Sequence, residues 1–235
     1  MLYEKEQFWT DFYIDYINTM VLFKKINISS DEIADFVEEK DYLDEDAKNT
    51  YEDILINTAK ALDLVRALVT KGVNKKETED KLINIEDLKN IYLAFDPSGQ
   101  KLDVFEFKTE KSKKFYEILE YIWVRMYSYD DLCTLCEYLL YAYVDYLKLM
   151  PLDELSLDYI WFLIQAMFIF KGFGPVLFIE EYEFWELFEV IEKLKNDTEN
   201  LDYTEWPKLF NFKRVAKSWE ESSSLWVEAH AFKYK

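Results

Sequence analysis

The chain has 235 residues, of which 50% are hydrophobic, 18% aromatic and 32% charged, far more apolar surface than a disordered or fibrous polypeptide carries. With 4 Gly, 4 Pro and 1 His it lacks the usual material of phosphate-cradling loops and imidazole chemistry. A net charge of −19 repels nucleic-acid backbones and anionic membranes alike, so direct binding to either is not expected.

Helical periodicity dominates in chain order. Residues 2–23 read as one aromatic-rich helix. Ser29 and Glu32 have the spacing of a capping box that opens a short acidic helix over residues 30–39. Between residues 47 and 70, Ile54, Ala61, Leu62, Val65, Leu68 and Val69 recur at three- and four-residue steps, with Gly72 placed as a left-handed C-terminal cap. A further helix is expected over residues 76–90. Residues 91–95 and 102–107 flank the turn residues Asp96, Pro97, Ser98 and Gly99, and Val104 and Phe105 alternate with Asp103 and Glu106; this predicts a small β-hairpin over residues 91–108. Helices then resume over residues 113–127, 130–149, 157–170, 179–195 and 213–232, separated by Pro151, Pro175 and Pro207.

The expected fold is therefore mainly α, an array or bundle of about eight to ten helices with one small hairpin. Three regions are marked out: an N-terminal helical part (1–90), the hairpin or connector (91–108) and a C-terminal helical part (109–235), which could join the first in one domain. The most apolar run, residues 159–170, is 12 residues long and ends at Lys171, short of the roughly 20 needed to span a bilayer. A buried core helix is the expectation, with Gln165 a further argument against a span. No signal peptide opens the sequence and two cysteines cannot make a disulfide framework, so the chain reads as cytoplasmic.

Cys133 and Cys136 form a CxxC inside a helical pattern, where residues three apart share a face and pack as small hydrophobes; redox chemistry is the competing reading. A tetrahedral metal site needs four ligands, and the only other soft donor is His230. No metal, cofactor or catalytic residue is assigned. Coincidental carboxylate pairs are inevitable among 47 acids, so an enzyme with a carboxylate-based site ranks third among the functional readings.

Charge is the informative feature. Residues 1–50 hold 13 acids and 5 bases, and residues 151–200 hold 11 and 3. Between residues 31 and 46 there are nine acids, among them Asp35, Glu38, Glu39, Asp44 and Glu45, against the single base Lys40; Ile33, Phe36, Val37 and Leu43 are placed to dock the segment. Residues 180–192 carry six acids and no base. At 100° per residue, Phe184, Leu187, Ile191 and Leu194 share one face of a helix, while Tyr182, Trp185, Glu186 and Glu189 share the other. An exposed Trp and Tyr among carboxylates have the composition of an interface anchor for a basic partner; burial of both faces is the other reading, and Trp206, Trp219 and Trp226 read as packing residues.

In this acidic, helical character, poor in catalytic residues, the chain resembles bacterial immunity proteins and virus-encoded inhibitors of nucleic-acid-handling defence enzymes. The resemblance is one of composition and carries over no individual residue. It implies a non-enzymatic binding protein that occludes a basic toxin, nuclease or defence enzyme, as a nucleic-acid mimic would. A helical scaffold that self-assembles as a homo-oligomer is the alternative.

Overall fold

The computed structural model describes residues 1–73, 84–125, 131–178 and 181–234. Among them there are nine α-helices and no strand: α1 (Glu6–Lys24), α2 (Ser30–Glu38), α3 (Asp53–Val73), α4 (Ile85–Phe95), α5 (Glu110–Arg125), α6 (Leu132–Leu149), α7 (Ser156–Phe170), α8 (Glu181–Asp197) and α9 (Phe210–His230). Six short 3-10 turns precede or join them.

Local chemistry sets most of the boundaries. The capping box is present: the Ser29 hydroxyl accepts from the Glu32 amide at 3.2 Å, and the Glu32 carboxylate accepts from the Ser29 amide at 2.9 Å. Asp131 caps α6 by accepting from the Thr134 amide at 2.8 Å. Lys25 ends α1 and Met150 ends α6, both in the left-handed region. The N-terminal helix expected from residue 2 starts at Glu6, behind a separate 3-10 turn at Leu2–Glu4. The helix expected from residue 47 starts at Asp53, because Ala47–Asn49 forms its own 3-10 turn. Gly72 is not a cap: the apolar stripe of α3 continues to Val73, which packs on the core, so Gly72 is a buried helical residue. The first part of the helix expected over residues 76–90 lies outside the described residues.

The hairpin over residues 91–108 is replaced by helix and turn. Leu88, Ile91, Tyr92 and Phe95 are all buried, the three- and four-residue spacing of a helical face, so the first apolar run completes α4. Asp96 then folds a turn by accepting from the Ser98 amide (3.1 Å) and hydroxyl (2.6 Å), and Gly99 supplies a φ of 62°. Tyr92 ties this turn back to the helix, donating to Asp96 Oδ2 at 2.7 Å and accepting from the Lys101 amide at 2.9 Å. Leu102–Glu106 is a 3-10 turn with one buried anchor, Phe105, stacked on Tyr92 at 5.5 Å. With one anchor to bury, the segment needs no ladder partner.

Buried side chains from Phe8 to Tyr234 form one contiguous apolar cluster. α3 packs on α1, α4 and α7, and α6 packs on α5, α7, α8 and α9. α7 is the innermost element, with 11 of its 15 residues buried. Among the described residues no helix is long and apolar enough to cross a membrane. Trp206, Trp219 and Trp226 are all buried.

After α7 the chain runs through the core without regular structure, with Gly174, Pro175, Val176, Leu177 and Phe178 buried. Such a segment must satisfy its backbone groups from outside. Gln165 on α7 does this for Val176 at both ends, donating to its carbonyl at 2.9 Å and accepting from its amide at 2.8 Å. Ser222 on α9 donates to the Leu177 carbonyl (2.6 Å) and accepts from its amide (3.1 Å). Ser223 donates to the Gly174 carbonyl at 2.7 Å, and Thr19 on α1 to the Phe178 carbonyl at 3.2 Å. Three helices thus hold the strap that leads into α8.

The C-terminal turn is fastened to α1 in a similar way. Buried Asp11 accepts from Lys233 Nζ at 3.1 Å and from the Tyr234 hydroxyl at 2.9 Å, and Asp15 accepts from Trp226 Nε1 at 2.8 Å.

Candidate functional site

α8 presents two different faces. Leu187, Val190, Ile191 and Leu194 are buried; the side chain of Phe184, expected among them, lies outside the described residues. Tyr182 and Trp185 stand on the outward stripe at 65% and 44% exposure, with Glu183, Glu186 and Glu189 exposed around them. Of the two readings left open by the sequence, burial of both faces is not observed. Glu186 is tied to Arg214 of α9, whereas Glu183 and Glu189 have no ion-pair partner among the described residues. Unneutralised charge therefore lies beside the aromatic pair on the exposed surface of α8.

Trp185 also looks inward. It meets Phe188 edge-on at 6.1 Å, and both line a cleft of about 330 Å³ walled by α1, α6, α7, α8 and the strap. Its walls include Tyr16, Phe23, Trp161, Leu177 and Phe178; the Lys24–Asp158 ion pair (3.0 Å) stands at its rim. The clamped strap thus forms one wall of the cleft beside the exposed aromatics. Sequence periodicity identifies the α8 stripe but not this cleft, which joins residues from α1, α6, α7 and the turn before it, the strap and α8.

The first acidic block lies on α2 and the turns after it. Ile33, Phe36 and Val37 are buried, with Phe36 packed on Tyr51 at 4.5 Å and Tyr42 at 5.7 Å. Asp35, Glu38, Glu39, Asp44 and Glu45 are exposed, and none has an ion-pair partner among the described residues. Leu43, expected to help dock the segment, is instead 57% exposed, because the neighbouring Tyr42 takes the buried position in that turn. α2 packs on α1 and α8 on α6 and α9, so the two blocks belong to different parts of the helical array.

Of the two cysteines expected to pack on one face, only Cys136 does so, while His230 is half-buried against the C-terminal aromatic residues. Cys136 is buried in α6 and Cys133 is exposed; burial, followed by the charges of Glu220, Glu137 and Asp131, pushes both thiols up, against the thiolate that redox or metal chemistry requires. His230 stacks on Trp226 at 4.2 Å, with Nδ1 2.9 Å from the Trp226 carbonyl and Nε2 3.3 Å from Asp15. Among the described residues no group of three potential ligands is placed to hold a metal ion.

A second, larger cleft of about 710 Å³ lies between α5 and α6, with Tyr203 also in its lining. Asp145 stands in it, accepting from the Tyr203 hydroxyl at 2.7 Å; burial pushes its carboxyl above the ordinary value despite that bond. Because the folded value is the higher one, the folded state takes up the proton first as pH falls. This group's contribution to stability is thus complete below the unfolded carboxylate value of about 4 and lost as pH rises through the folded value. Asp145→Asn is therefore expected to remove part of the gain between pH 7 and about pH 4.5 in urea melts. An unchanged difference between the two pH values would refute the burial-driven shift.

Compared with known proteins, the chain matches no family model, no curated protein and no solved structure.

Proposed function

We propose that this chain is a non-enzymatic binding protein of the cytoplasm that neutralises a basic protein, a toxin, a nuclease or another nucleic-acid-handling enzyme, by covering its basic surface. The observation that supports it is the outward stripe of α8, where Tyr182 and Trp185 are exposed beside the carboxylates of Glu183 and Glu189, which have no ion-pair partner among the described residues. Aromatic groups on a helix fixed by its buried face supply contact area at low entropic cost. The surrounding acids, in a chain of net charge −19, raise the encounter rate with a positive surface and penalise a negative one. The acids of α2 and its following turns, Asp35, Glu38, Glu39, Asp44 and Glu45, would widen the field that steers the partner in.

The test is capture at low salt on immobilised wild-type protein and, in parallel, on Trp185→Ala and Glu189→Lys, each column eluted with a salt gradient. Trp185→Ala is expected to weaken retention of a basic partner by about tenfold or more, the loss of a central aromatic anchor. Glu189→Lys should lower its elution salt, because rim charges act mainly on association. Equal retention on all three columns would refute the α8 stripe as the binding face. Recovery of the chain alone, with a concentration-dependent mass in light scattering, would favour self-assembly.

A further inference from the structure

The cleft between α5 and α6 is graded along its length. Lys114, Glu117 and Tyr121 follow one face of α5, and Lys148, Asp145 and Tyr141 follow the facing side of α6. The two helices run antiparallel, since Phe115 meets Tyr146 at 5.7 Å and Tyr121 stacks on Tyr138 at 4.4 Å. One end of the cleft therefore holds both lysines, the middle both carboxylates with the Tyr203 hydroxyl on Asp145, and the far end Tyr121 and Tyr141. Lys114 to Tyr121 covers seven residues of α5, a rise of about 10 Å.

Neither lysine has a carboxylate at ion-pair distance among the described residues, in a chain with 47 acids. Among the described residues, Lys148 lies over the Trp206 ring at 4.4 Å and donates to the Thr198 carbonyl at 3.2 Å. Burial also works against its charged form, a cost that an incoming anion would offset.

The geometry points to a nucleoside monophosphate as the ligand of this cleft. Lys114 and Lys148 take the phosphate, Asp145 and Glu117 accept from the ribose hydroxyls, and Tyr121 and Tyr203 stack on the base. Each assignment follows from chemistry: ammonium groups hold phosphate oxygens, acidic side chains are the usual acceptors for a ribose diol, and every base offers a π-face to an aromatic ring. A free aromatic amino acid has the same order of groups, but it is too short to reach from the tyrosine end to the lysine end. This inference does not rest on the α8 stripe, since the two sites share no residue.

Isothermal titration of the full chain with adenosine and uridine monophosphates, and separately with adenosine, inorganic phosphate and phenylalanine, decides it. A monophosphate should bind with a dissociation constant below about 1 mM, and adenosine or phosphate alone at least about tenfold more weakly. Lys114→Gln combined with Lys148→Gln should weaken the monophosphate by about tenfold or more and leave adenosine unchanged, while Tyr203→Ala should weaken both. Lys114→Gln alone, at an exposed helix position, is the variant whose fold is safest, and it should retain the wild-type circular dichroism spectrum with a severalfold loss of affinity. No heat from any monophosphate up to about 1 mM would overturn the inference, as would unchanged affinity in the lysine variants or tighter binding of phenylalanine.

Discussion

Replacing Gln165 with leucine is expected to lower the stability of the chain by about 3 kcal/mol, even though the side chains are close in size and the site is fully buried. The carboxamide satisfies both backbone groups of Val176, which is itself 0% exposed. Leucine leaves a buried N–H and a buried C=O unpaired at once, each costing about 1 to 3 kcal/mol, and its extra apolar transfer recovers only part of that. For a chain of this length the melting temperature should fall by about 10 °C, read by circular dichroism or by the urea midpoint. Ser222→Ala removes comparable bonds to Leu177 at a partly exposed position, where water can substitute, so its cost should be the smaller. If Gln165→Leu melted within a degree or two of wild type, the strap would not depend on this clamp.

Gln165 also shows where sequence reading stops. In the sequence it is a lone polar residue in an apolar helix, which correctly argues against a membrane span but does not reveal its partner 11 residues on. Local pattern identifies α7 as an apolar run, α8 by the periodicity of its two faces and the capping box at Ser29 by its spacing, because each depends on residues within a few turns. It fails over residues 91–108, where the alternation of Val104 and Phe105 with acids resembles a strand. There the deciding contacts are the stacking of Tyr92 on Phe105 and the hydrogen bonds of Tyr92 to the following turn. The outward stripe of α8 is likewise legible as a pattern; whether Trp185 is exposed depends on what packs nearby, which no local spacing encodes. Both clefts are further cases: the Tyr203–Asp145 contact joins residues 58 apart, and the Thr19–Phe178 contact at the strap joins residues 159 apart.

The strap carries the second large effect. Gly174 reads in the sequence as a helix breaker, and in the structure it is a point of close approach. A Cβ added there would lie 2.4 Å from the Ser223 carbonyl oxygen and 2.7 Å from Val227 Cγ2, both on α9. The first is backbone, and Ser223 cannot swing aside without breaking its own bond to the Gly174 carbonyl at 2.7 Å. Gly174→Ala should therefore cost about 3 kcal/mol, the upper part of the usual overpacking range, with a fall in melting temperature of about 10 °C. The contrast with Gly172 isolates the cause. There the φ of 83° makes a side chain unfavourable, yet the nearest atom to an added Cβ is the mobile Met1 Sδ at 3.2 Å, so Gly172→Ala should cost only about 1 kcal/mol. Adding Val227→Ala to Gly174→Ala separates the two contacts: it frees the methyl contact but not the carbonyl, so little stability should return. Full recovery in the double variant would mean that side-chain crowding alone fixes the strap. Limited recovery would mean that the backbones of the strap and α9 are held in contact, and with them the wall of the cleft beside Trp185.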